Sequence, residues 1–182
     1  MSVWRVLVCM GVLLAALCGL SACSSATPQI DTLTQAEPDS TRQRAMRRLS
    51  LASAYYEQNQ NAVAHQEVRA ALQIDPHYAD AYSLLGLIHQ RDNAPALAQQ
   101  SFEQALEQAS KPSVRGVDLG AIQHNYGWFL CEQNQFVQAQ AQFDLALAQP
   151  SYRQTDKTRQ AIAICKTRAS LVTNDRQRLP AQ

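Results

Sequence analysis

Residues 125–147 read N-Y-G-W-F-L-C-E-Q-N-Q-F-V-Q-A-Q-A-Q-F-D-L-A-L. Small residues stand at Gly127, Ala139 and Ala146, and a large aromatic residue stands at Phe143. Two helices that cross at short distance need small residues at the crossing point, and a large side chain fills the space behind them. The spacing therefore predicts a helix-turn-helix unit in which Gly127 faces Ala139.

The same spacing of small and large residues occurs twice more upstream. The equivalent positions hold Gly86, Ala98, Phe102 and Ala105 in one copy, and Ala52, Ala64, Val68 and Ala71 one repeat length earlier. A skeleton that recurs at about 34 residues is typical of tetratricopeptide repeats (TPRs), in which each helix pair packs on the next. Pro76 ends the second helix of the first unit because proline cannot continue a helix.

The pattern predicts an all-α fold, a TPR superhelix of about three helix pairs followed by a C-terminal capping helix. The first pair is expected at about residues 41–58 and 61–74, and the second unit at 79–109 with Pro95 at the start of its second helix. A longer loop at 110–120 precedes the third unit, and a turn at 148–156 precedes a last helix at about 157–172. The predicted repeat domain is thus 41–172, and 173–182 is predicted to be a polar tail.

The N-terminus has the composition of a secretory signal. A short basic start ending at Arg5 precedes an uncharged apolar run at 6–20 and then L-S-A-C at Leu20 to Cys23. The run is shorter than the roughly 20 residues that a mature membrane-spanning helix needs. L-S-A-C resembles the lipobox of bacterial lipoproteins, whose cysteine is acylated and becomes the first mature residue.

The lipobox resemblance implies that residues 1–22 are a lipoprotein signal peptide and that Cys23 carries the lipid, palmitate included. Residues 23–40 carry two prolines and no helical periodicity, so they are expected to form a flexible tether. Ser24 is not the aspartate that typically retains such lipoproteins in the inner membrane, which implies the periplasmic leaflet of the outer membrane. The alternatives are an ordinary signal peptide with an incidental cysteine, or a single membrane anchor.

Charge and cysteine usage fit that compartment. Removal of Arg5 leaves 15 of the 16 basic residues and 15 acidic residues, so the mature chain has a formal net charge of zero. A neutral chain has no overall electrostatic attraction to nucleic acid. Cys9 and Cys18 lie in the predicted leader, which leaves Cys131 and Cys165 as thiols. They lie one repeat length apart on the first helices of neighbouring units, and a disulfide between them is plausible in an oxidising periplasm. The alternative is two separate buried cysteines that act as small apolar residues.

The sequence offers no catalytic, cofactor or metal site. None of the histidines forms an i, i+4 pair with a second ligand-type residue, and no glycine-rich phosphate loop or nucleophile motif is present. His124 and Cys131 are two helical turns apart, about 10.5 Å along the axis, which is too far for a base and its nucleophile. We therefore predict a non-enzymatic protein without a small-molecule substrate.

A protein-binding groove is the remaining functional prediction. In stacked TPRs the first helix of each unit lines the concave face, and its inward positions here hold Leu49, Ser53, Tyr56, Glu57, Asp80, Ser83, Leu87, Gln90, Arg91, His124, Trp128 and Glu132. For Tyr56 and Trp128 the alternative is ordinary packing between repeats. A cluster of Arg42, Arg44, Arg47 and Arg48 is either a solvated helix face or a contact for anionic lipid headgroups or an acidic partner.

N-Y-G-W-F-L-C-E-Q-N-Q-F at 125–136, the lipobox, A-x-A-Y-Y-E-Q at 52–58 and P-S-Y-R at 150–153 together resemble the type IV pilus biogenesis and stability lipoproteins. The resemblance implies a pilotin, which binds the pilus secretin and promotes its localisation and multimerisation in the outer membrane. Members usually carry more repeats than this chain. The alternative is a general periplasmic TPR scaffold for cell-envelope enzymes or another outer-membrane assembly machine.

Overall fold

The computed structural model describes residues 40–111 and 116–178, so the predicted leader, lipobox and most of the tether lie outside the described residues. Within those ranges the chain forms seven α-helices and no strand, which confirms the all-α prediction. The helices are α1 (Thr41–Glu57), α2 (Asn61–Ile74), α3 (Ala79–Arg91), α4 (Pro95–Ala109), α5 (Leu119–Glu132), α6 (Phe136–Ala148) and α7 (Thr155–Arg178).

The helices stack in the order of the chain. The pairs α1–α2, α3–α4 and α5–α6 make the most extensive contacts, and each second helix also packs on the first helix of the next unit. The first helices of successive units contact one another as well, from α1 to α3, from α3 to α5 and from α5 to α7. This arrangement is a TPR superhelix of three helix pairs with α7 at its end, as the sequence predicts.

The crossing points within the pairs follow the repeat skeleton. A methyl group built on Gly127 would lie 2.8 Å from the ring of Phe143 and 3.2 Å from the carbonyl oxygen of Ala139. Gly86 meets the ring of Phe102 at the same distance of 2.8 Å in the preceding pair. Both phenylalanines are fully buried. The small residue lets the two helices approach, and the aromatic ring fills the space between them.

The turn inside each helix pair uses an asparagine that sequence analysis missed. Asn59, Asn93 and Asn134 have φ angles of 59°, 56° and 59°, in the left-handed region that asparagine tolerates better than most residues. In each case the next amide donates to a carbonyl five residues earlier in the first helix, which satisfies the helix end. All three asparagines follow the position of Gly127 and its equivalents by the same interval, so the repeat register could have identified them.

Capping residues set the start of two helices. Ser40 accepts a hydrogen bond from the Gln43 amide, and the Gln43 side chain accepts from the Ser40 amide, which forms a capping box at α1. Asp118 accepts from the Ala121 amide and starts α5. The long loop predicted at 110–120 is therefore helical from Leu119 onward.

The last helix is longer than predicted. It begins at Thr155 and reaches Arg178, where the sequence analysis had a helix of about 157–172 and a polar tail from 173. The reason is that no proline or glycine interrupts the chain between Thr155 and Pro180, and polar residues such as asparagine, arginine and glutamine are compatible with an exposed helix. No helix within the described residues is both long enough and apolar enough to cross a membrane.

Candidate partner-binding groove

Helices α1, α3, α5 and α7 line a continuous groove. A cavity with mainly apolar walls, the main pocket, has a volume of about 380 Å³ and is lined by Tyr56, Leu87, His124, Asn125, Trp128, Lys157, Gln160, Ala161 and Ile164. A second cavity of about 230 Å³ lies toward α1 and α3, and a third of about 400 Å³ connects the two. Leu87 and Asn125 line all three cavities, so they form one surface.

Most of the residues predicted for the groove lie in it. The lining includes Leu49, Ser53, Tyr56, Glu57, Asp80, Ser83, Leu87, His124 and Trp128. These side chains come from three different repeats, and the repeat register brings them to one face because equivalent positions point the same way. Their contact with a partner remains a prediction.

Three further predicted residues, Gln90, Arg91 and Glu132, are not among the lining residues of these three cavities. The Gln90 side chain donates a hydrogen bond to the Glu132 carboxylate, which connects the ends of α3 and α5. Arg91 donates to the main-chain oxygen of Tyr56, and its guanidinium lies 3.4 Å from the centre of the Tyr56 ring. The three side chains lie in the last turn of their helices, where they contact one another or Tyr56.

Tyr56 and Trp128 combine the two roles that the sequence left as alternatives. Trp128 is partly buried against the core formed by α4 to α7, and it also lines the main pocket. Tyr56 packs against the core of the first repeats and faces the same pocket. Each ring therefore contributes to the packing of the stack and also lines the main pocket.

Helix α7 forms a wall of the main pocket, which was not predicted from the sequence. Lys157, Gln160, Ala161 and Ile164 lie along this wall, and Asn125 of α5 lies opposite. Ala161 stands one repeat length after Gly127 and is buried like it. Extending the register by one unit would have placed α7 in the groove, but the prediction assigned inward positions only to the three complete pairs.

A buried hydrogen-bond network attaches α7 to α5. The Thr158 hydroxyl lies 2.9 Å from Nδ1 of His124 and 2.8 Å from the hydroxyl of Tyr152. All three side chains are at most 5% exposed. Because buried polar groups are expensive to leave unpaired, the network fixes the position of α7 against α5.

Burial also determines the charge of His124, which lines the groove. Burial, with a smaller contribution from the positive charge of Lys157, lowers the pKa of His124 to about 4. The imidazole is therefore neutral at neutral pH. At the other end of the groove, burial raises the pKa of Asp80, although Arg42 opposes the shift.

A disulfide is the second connection between α5 and α7. Cys131 and Cys165 are bonded in the structure, with their Cα atoms 5.7 Å apart and a sequence separation of 34 residues. Both residues are buried, in the same core cluster as Phe143. The bond joins helices that form opposite sides of the main pocket.

The basic cluster of α1 is partly neutralised. Arg42 pairs with Asp75 at 3.1 Å, and Arg48 pairs with Glu67 at 2.9 Å. Arg44, Arg47 and Arg48 surround a shallow cavity with Leu51 and Ile74. Surface pairs of this kind contribute little to stability.

Comparison with known proteins agrees with the repeat register. Residues 52–93 match the family described as TPR repeat. An uncharacterized protein from Haemophilus influenzae is 34% identical over 121 residues, which are 66% of this chain and 64% of that protein. The type IV pilus assembly protein PilF from Pseudomonas aeruginosa is 29% identical over 121 residues, which are 66% of this chain and 44% of PilF.

Two solved structures share the fold. The PilF structure of Pseudomonas aeruginosa matches with a TM-score of 0.62 and 25% identity over 71% of this chain and 55% of the other. The structure of PilW, described as a widely conserved type IV pilus biogenesis factor, matches with a TM-score of 0.62 and 32% identity over 71% and 56%. The chain thus spans less than two thirds of these relatives. It has the TPR fold and is similar to the type IV pilus biogenesis factors PilF and PilW.

Proposed function

We propose that this protein is a lipid-anchored type IV pilus assembly factor that acts as a pilotin. Cys23 anchors it in the periplasmic leaflet of the outer membrane, and the groove binds a segment of the pilus secretin. Binding brings the secretin to the outer membrane and promotes its multimerisation. The role is that of a binding protein without catalysis.

The groove is the observation that carries this proposal. Helices α1, α3, α5 and α7 form a concave surface, and its main pocket is lined by the aromatic and aliphatic side chains of Tyr56, Leu87, Trp128 and Ile164. Aromatic anchors in a concave site surrounded by polar groups are typical of protein recognition. The relationship to PilF and PilW supports the pilus as the process in which the groove works.

Lipid attachment provides the targeting step of the proposal. Acyl chains on Cys23 hold the protein at the membrane because each buried methylene contributes about 0.8 kcal/mol and two or more chains make anchoring stable. The predicted tether between Cys23 and α1 would separate the repeat domain from the membrane surface. A secretin subunit bound in the groove would thus be held close to the membrane in which it assembles.

Replacing Cys23 with serine is expected to release the protein from the membrane and to reduce secretin multimers and surface pili. Membrane fractionation, multimer blots and electron microscopy of the Cys23→Ser strain measure the three effects. Ser25→Ala is the matched control because it leaves the L-S-A-C segment intact. Normal secretin multimers and normal piliation in Cys23→Ser cells would contradict the proposal.

The runner-up is a general periplasmic scaffold, which the TPR fold would serve equally well. Affinity purification from detergent-solubilised envelope, followed by mass spectrometry, separates the two functions. The secretin should dominate the specific bound fraction if the protein is a pilotin. Recovery of cell-envelope enzymes or another assembly machine in its place would support the scaffold.

A further inference from the structure

The charge of the main pocket has one source among the described residues. His124 is neutral, and Asn125, Gln160 and the aromatic and aliphatic lining residues carry no charge. Lys157 is the only lining residue of this pocket that is charged at neutral pH. The pocket therefore combines apolar walls with a single cation.

Among the described residues, Lys157 has no carboxylate partner, in contrast to several other basic residues. Arg42, Arg48 and Arg159 each form an ion pair with a nearby carboxylate. In the ranges that the structure describes, no carboxylate forms such a pair with Lys157. Its ammonium group is instead near enough to His124 to disfavour protonation of the imidazole.

The opposite end of the groove has the opposite charge. Asp80 lines the cavity between α1 and α3, where it is the only acidic or basic lining residue. Glu57 and Lys157 both line the connecting cavity. The acidic lining residues of these cavities, Glu57 and Asp80, therefore come from α1 and α3, and the basic lining residue, Lys157, comes from α7.

The walls beside Lys157 are open to an apolar side chain. Ile164 is 49% exposed although it lies in the pocket, and Leu87 and Trp128 are only partly buried. A large aliphatic or aromatic side chain inserted between them would remove apolar surface from water on both partners. The same insertion would exclude water around Lys157 and strengthen its attraction to a carboxylate.

We propose that the main pocket receives a partner segment in which a bulky apolar side chain adjoins a carboxylate. The apolar side chain packs between Leu87, Trp128 and Ile164, and the carboxylate pairs with Nζ of Lys157. The opposite charge of Asp80 disfavours the reversed placement, so the pair sets the direction of the segment along the groove. This inference rests on the groove being the partner-binding surface proposed above, and it names the chemistry of the partner.

Selection from a random peptide library displayed on phage tests the chemistry without a known partner. The lipidated full-length protein, purified in detergent and immobilised, is expected to enrich peptides with aspartate or glutamate next to a large apolar residue. Lys157→Glu should abolish the acidic preference, and Lys166→Glu should preserve it. Lys166 is the matched control because it is exposed on the same helix, nine residues and thus half a turn of the helical wheel away.

Affinity measurements on one enriched peptide make the test quantitative. Lys157→Ala should weaken binding about fivefold to tenfold, whereas Lys157→Arg should retain most of it, and added salt should reduce the difference between wild type and Lys157→Ala. Absence of enrichment, an enriched set without acidic residues, or an acidic preference that survives Lys157→Glu would each overturn the inference. Enrichment of such peptides together with failure to capture the secretin would reject the pilotin function and leave the peptide chemistry standing.

Discussion

Replacing Phe143 with alanine is expected to lower the free energy of unfolding by about 3–5 kcal/mol. The ring is fully buried between α5 and α6, where it contacts the backbone at Gly127 and lies 5.9 Å from the His124 ring. Alanine would leave a cavity at the crossing point, because Gly127 has no side chain that could move into the space. Urea denaturation followed by circular dichroism measures the change.

Val137→Ala is the matched control for Phe143. Val137 lies on the same helix but is 83% exposed, so its truncation should change the free energy of unfolding by less than about 0.5 kcal/mol. Equal effects of the two substitutions would show that Phe143 does not fill the crossing point. The packing that we assign to every helix pair would then be wrong.

Loss of the Cys131–Cys165 disulfide is expected to destabilise the protein by about 3–4 kcal/mol. The bond closes a loop of 34 residues, and the chain-entropy account gives this magnitude for a loop of that length. The effect should be strongest on α7, because the bond and the Thr158 network attach this helix to α5. Reductant should therefore loosen the attachment of α7, which lines the main pocket, and should also lower the free energy of unfolding of the protein.

Comparison of reductant with mutation isolates the bond. Dithiothreitol should lower the stability of the wild type and leave the Cys131→Ala/Cys165→Ala double variant unchanged. Thiol labelling of the unreduced, denatured protein, mapped by mass spectrometry, should find neither cysteine reactive. Labelling of both residues before reduction would show that the protein carries free thiols at these positions.

The repeat skeleton made most of the fold predictable. The crossing of the two helices in a pair requires a small residue at positions such as Gly86 and a large one at positions such as Phe102. These residues are close in sequence, so the same spacing recurs in each unit and can be recognised. The end of α7 was not predictable in this way because residues 173–175 are exposed and carry no packing signal. The asparagine turns were missed because their left-handed backbone is not visible in a pattern of apolar residues.

The groove was only partly predictable for a different reason. The register orients side chains such as Leu87 and Trp128, and these lie where it predicts. Gln90 and Arg91 occupy equivalent inward positions, but contacts with Glu132 and Tyr56 hold them at the end of the groove. Such contacts join residues of different repeats, and one sequence does not reveal which pairs form.

The placement of α7 connects stability with the proposed function. This helix completes the main pocket, supplies its only charged residue among those described, and is held by a disulfide and a buried hydrogen-bond network. Helix α7 therefore extends the groove as the first helix of a fourth unit, and no second helix of that unit follows it in the described residues. The groove depends on the interactions that hold α7 in place.

The most direct test of the account is the amount of pilus secretin that co-purifies with two variants of α7. Ile164 and Leu171 are similarly exposed on this helix, at 49% and 58%, but only Ile164 lines the main pocket. Both serine substitutions should leave the fold intact, and we expect Ile164→Ser to lower secretin recovery severalfold while Leu171→Ser matches the wild type. Equal recovery of the secretin with all three proteins, or no recovery with any, would contradict binding through the groove.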